Sequence, residues 1–83
     1  MDIRDLLRFL ADQLQSAVDN NEHERISEIG SAVEIFYEAA KLSGGDLSMR
    51  ILDRMIYVVF HYRDEESFTQ MNLEEIAKQV KSA

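Results

Sequence analysis

The chain has 83 residues, no cysteine and no proline, and its 16 acidic against 9 basic side chains give a net charge of −7. That length leaves room for one domain with one core, and the missing thiols exclude disulfides and thiolate metal sites. The negative charge repels phosphate backbones at long range, which excludes generic nucleic-acid binding.

No run approaches the ~18 apolar residues of a membrane span, and Met1-Asp2-Ile3-Arg4-Asp5 lacks the basic-then-apolar order of a secretory signal. The chain is therefore expected in the cytoplasm, with residues 1–83 forming a single helical domain. With 46% hydrophobic residues and only three glycines the composition is that of a folded helical chain, because disordered segments are poor in apolar side chains.

Residues 2–20 place Ile3, Leu6, Leu7, Leu10, Leu14, Ala17 and Val18 at steps of three and four, with Asp5, Arg8, Asp12, Ser16 and Asp19 opposite. The spacing predicts an amphipathic helix. Phe9 falls outside its apolar arc, between Asp2 and Gln13. Asn20-Asn21 ends the helix, since asparagine favours turns and tolerates left-handed backbone.

A second helix is predicted over 23–42, with Ile26, Ile29, Val33, Phe36, Tyr37 and Ala40 on one side and Glu24, Ser27, Glu28, Ser31, Glu34 and Glu38 on the other. Ile35 and Leu42, one heptad apart, break the pattern by sitting on the polar side. Ser43-Gly44-Gly45-Asp46 stops the helix, with glycine in the positive-φ position and Asp46 available to cap the next one.

The third helix, predicted over 47–63, is apolar over more than half its circumference through Leu47, Met49, Ile51, Leu52, Met55, Ile56, Val58, Val59, Phe60 and Tyr62. One neighbour cannot cover so wide an arc. Met55-Ile56-Tyr57-Val58-Val59-Phe60 is also rich in strand formers, but no second such run exists to pair with it, so helix is the reading. Asp64 to Phe68 then reads as an acidic connection. Asn72 with Glu75 matches a capping box, with Met71 and Ile76 as its hydrophobic staple, and a short last helix follows over 72–81 through Leu73, Ile76, Ala77 and Val80.

The fold class expected is all-α: a small antiparallel bundle of three long helices plus a short C-terminal one, with the third through the centre. A single small core supplies only a few kcal/mol net, and no disulfide or thiolate site reinforces this one. A homodimer sharing the third helix is therefore expected, with Phe9, Ile35, Leu42, Met55, Ile56 and Phe60 as interface candidates.

The candidate binding strip is Arg50, Arg54, Tyr57 and His61, aligned on one edge of the third helix at spacings of four, three and four. Arginine suits bidentate contact with carboxylate or phosphate, so the strip could hold an anion or an acidic partner segment. The plainer reading, and the favoured one, is a solvated helix edge whose arginines pair with glutamates of the second helix. His23 and His61 stand far apart in sequence and form no helical ligand pair, so no metal and no cofactor is expected. Leu73 to Val80 looks like the first helix of a helix-turn-helix unit, but no recognition helix follows it.

Nothing in the sequence assembles a nucleophile with its base or a phosphate cradle. The function expected is a small acidic, non-catalytic regulatory or adaptor protein with a protein partner. Its alternatives are an anion-binding module or enzyme on Arg50, Arg54 and His61, and an acidic nucleic-acid mimic of the phage-inhibitor type built on the exposed glutamates.

Overall fold

Helix α1, Ile3–Asp19, begins where the Asp2 carboxylate accepts a hydrogen bond from the Arg4 backbone N–H at 3.3 Å, which satisfies one of the orphan donors of the first turn. In the computed structural model, which describes residues 2–82, it is followed by α2 (His23–Ser43), α3 (Asp46–His61) and α4 (Glu66–Ser82), with no strand among the described residues. The Asn20-Asn21 stop acts as its residue types require: Asn20 Nδ2 donates to Ser16 O at 2.9 Å and Asn21 takes φ 53°. Helix α2 ends on Gly44 at φ 75°, where a side chain would be strained.

Two local readings are corrected. Asp46 does not cap α3; it is the first helical residue, and Gly45 occupies the cap position without a side-chain bond. The capping box at Asn72 and Glu75 does not form either, because α4 starts at Glu66, six residues earlier than 72. Asn72 lies inside α4 and spends its amide differently, donating from Nδ2 to Phe68 O at 2.9 Å.

The longer α4 changes how α3 is covered. Helix α3 packs against α1, α2 and α4, whereas α2 and α4 do not meet. Ile51, Leu52, Met55 and Val58 are each 0% exposed, enclosed by Leu7, Leu10 and Leu14 of α1, Ile26, Ile29 and Val33 of α2, and Leu73, Ile76 and Val80 of α4. Burying a side chain of this size is worth about 1.5–3 kcal/mol, so each of these four positions is a substantial part of the core.

The expectation that α3 is too apolar for its own chain to cover is thus largely overturned. Met49, Ile56, Val59 and Tyr62 are partly covered as well, leaving only Leu47 and Phe60 exposed among its large apolar residues. Met55, expected at an interface, has no surface to offer one. The α2–α3 contact is the most extensive in the fold, and at Gly30 it leaves no room for a side chain: a Cβ would lie 2.7 Å from Val59 Cγ1.

Candidate functional site

Two surfaces outside the core carry side chains without partners. The first is the outer face of α2. Ile35 and Leu42 are 68% and 90% exposed, and with exposed Ala39 they follow the i, i+4, i+7 spacing that aligns side chains along one face. Glu24, Glu28, Glu34 and Glu38 are exposed along the same helix, and none of them forms an ion pair or hydrogen bond. The helix periodicity explains the arrangement, because the inward face is filled by Ile26, Ile29, Val33 and Ala40 and these residues lie on the remaining arc.

Phe9, also exposed at 55%, stands one turn before Gln13 on α1. Gln13 Oε1 accepts a hydrogen bond from Arg25 of α2, so this flank of α1 is the one that meets α2. Arg25 also pairs with Glu22 at 2.9 Å. Arg8 likewise pairs locally, with Asp5 at 3.7 Å.

The second surface is a groove between α3 and α4 that takes in most of the predicted strip. A hollow of about 410 Å³ is lined by Arg50, Asp53, Arg54, Tyr57, Asn72 and Gln79. Its neighbour, of about 390 Å³, shares Arg54, Tyr57 and Asn72 and adds Phe68, Met71 and Glu75. Phe68 and Met71 are exposed at its rim.

The arginines are not paired with glutamates of α2. Arg54 Nη1 donates to Asn72 Oδ1 at 3.1 Å, a neutral acceptor that leaves its charge uncompensated, and Arg50 forms neither an ion pair nor a hydrogen bond. The Oε1 atom of Gln79, buried in the same groove, has no hydrogen-bond partner.

Tyr57 and His61 make contacts of their own. The Tyr57 hydroxyl donates to Glu65 Oε2, and its ring stacks on His61 with centroids 4.4 Å apart. The hydrogen bond to Glu65, then desolvation, then the Glu65 charge hold the Tyr57 phenol above its ordinary value, because the bond and the nearby carboxylate both disfavour a phenolate. His61 and His23 stay separate: His23 Nδ1 meets the Tyr62 hydroxyl at 2.6 Å, and Arg63 lies over the Tyr62 ring.

Of the predicted residues, then, Arg50, Arg54 and Tyr57 share a groove, His61 flanks it, and Phe9, Ile35, Leu42 and Phe60 are exposed elsewhere. Phe68, Met71, Asn72 and Gln79 were not anticipated. Their signal was present: Phe68, Met71, Asn72, Glu75 and Gln79 continue one helical face back through the stretch read as a connection. Among the described residues no cluster of three metal-ligating side chains occurs, and no helix is long and apolar enough to cross a membrane.

Comparison with known proteins adds no relative: no family model matches the chain, and neither a curated protein nor a solved structure resembles it at a significant level.

Proposed function

We propose that the chain is a cytoplasmic, non-catalytic regulatory or adaptor protein that works by binding another protein through the outer face of α2. The observation that carries this reading is Leu42 at 90% and Ile35 at 68% exposure, one heptad apart, among glutamates that have no partner among the described residues. Single exposed hydrophobes are ordinary. Two of them aligned with Ala39 on the helix face that the core never touches are a strip, and a strip of this kind suits a helical or extended partner segment.

The flanking charges state the partner's chemistry. A segment with aliphatic side chains and lysine or arginine beside them would cover Ile35 and Leu42 and neutralise Glu34 and Glu38. Burial would supply affinity, at about 1.5–3 kcal/mol per covered aliphatic side chain, while the charges would speed encounter and set register.

A synthetic amphipathic helical peptide of leucine and lysine, fluorescently labelled and titrated by anisotropy, tests this. The expected result is binding that weakens with salt, that is lost in an Ile35→Ser/Leu42→Ser variant, and that survives Phe60→Ser. Equal binding by the parent and the α2 variant would reduce the attraction to net charge alone and refute the reading.

A further inference from the structure

Resting on the reading of α2 as the binding face, we infer that the segment it takes is the α3–α4 groove of a second copy of this chain. The chemistry required of a partner is present on the molecule itself. Glu34 and Glu38 lack cationic partners, and Arg50 and Arg54 lack anionic ones.

The spacing agrees on both sides. Glu34 and Glu38 stand one helical turn apart, as do Arg50 and Arg54, so each pair presents its charges about 6 Å apart along a helix. Beside each charge pair lies apolar surface that its own chain leaves open: Ile35 and Leu42 on α2, Phe68 and Met71 on the groove.

Asp53 and Glu75 also line the groove. A free anion would meet them along with the arginines, so charge alone holds little there. A surface that brings aliphatic side chains together with two correctly spaced carboxylates gains from both, and the outer face of α2 is such a surface. Asn72 already fixes Arg54 in the groove, which reduces the side-chain entropy lost on docking.

The α2 face and the groove are different surfaces of one protomer, so the contact either closes a two-fold pair, each face in the other's groove, or runs head to tail; in both arrangements association grows with concentration. A protein partner that occupies α2 competes with this self-association, which makes the free chain's own assembly a brake on its binding.

Light scattering and sedimentation equilibrium across concentration test the inference with four proteins: the parent, Arg50→Glu/Arg54→Glu, Glu34→Lys/Glu38→Lys, and the chain carrying all four changes. The parent should show an average mass that rises with concentration and falls with salt. Either single reversal should lower the association constant by about tenfold or more. The fourfold variant, in which the charges are exchanged, should recover it.

Circular dichroism confirms that each variant folds, and Arg50→Gln/Arg54→Gln serves should a reversal unfold the chain. A parent that keeps the mass of one chain at every concentration would overturn the inference while the peptide test of α2 still stands or falls separately. Association that both reversals leave untouched, or that the exchanged variant fails to recover, would overturn it too.

Discussion

Helices α3 and α2 both carry apolar residues beyond one face, and the fold treats the surplus in opposite ways. On α3 the surplus is wide but continuous, and three neighbouring helices enclose it, leaving Ile51, Leu52, Met55 and Val58 without solvent contact. On α2 the surplus is only Ile35 and Leu42, yet it lies directly opposite the core, where no helix of the chain can reach it. The quantity of apolar surface therefore matters less than its direction. A broad arc places a helix in the middle of the fold, whereas two residues on the wrong side are left for another molecule.

The largest test of this contrast is to truncate one residue from each class. Met55→Ala should cost about 2–5 kcal/mol through lost burial and the cavity left behind. Leu42→Ala should change stability by no more than about 0.5 kcal/mol. Equilibrium urea unfolding at low protein concentration measures both, and similar losses at the two positions would break the comparison.

Next in size is the α2–α3 seam. Gly30→Ala places a methyl 2.7 Å from Val59 Cγ1, an overpacking expected to cost about 1–3 kcal/mol, against which alanine's better helix propensity returns about 1 kcal/mol. Val59→Ala in the same chain should relieve the clash, so the double variant should be more stable than the two single losses add up to. Strict additivity would mean that the helices do not meet there.

How much of this was legible in the sequence follows from the same contrast. The stripes of α1 and α2, the asparagine turn and the glycine stop were all readable, because local periodicity and turn chemistry determine them. So were the outliers Phe9, Ile35 and Leu42, which need only a helical wheel. The start of α4 was not. Asn72 and Glu75 satisfy the capping pattern as well as any true cap does, and the earlier start at Glu66 brings Thr69, in the added turns, to 1% exposure. That six-residue error hid the cover over α3 and the partner of Arg54, so the arginines of the strip were set against glutamates of α2 instead of Asn72 of α4.

A smaller effect sharpens that last point. Asn72→Ala removes the acceptor at 3.1 Å from Arg54 and should cost about 0.5–1.5 kcal/mol, whereas Arg50→Ala, which breaks no bond, should leave the melting temperature unchanged. Were Arg54 held by glutamates of α2 instead, Asn72→Ala would be silent.

The smallest effect appears at alkaline pH. Because its hydrogen bond to Glu65 raises the Tyr57 phenol above its ordinary value near 10.0, the neutral form is the one the fold favours. Its contribution is complete below the unfolded value and is lost as pH rises through the higher folded value. Spectrophotometric titration should show one of the three tyrosines ionising late, and Tyr57→Phe should abolish that late step. A late step that persists in the variant would assign it to another tyrosine.

The central claim, that the outer face of α2 serves binding and contributes nothing to the core, is tested most directly by the Ile35→Ser/Leu42→Ser variant, measured for thermal stability and for anisotropy binding of the leucine–lysine peptide. The account predicts a nearly unchanged melting temperature together with loss of peptide binding. A melting temperature lowered as far as Met55→Ala lowers it, or peptide binding equal to the parent's, would contradict it.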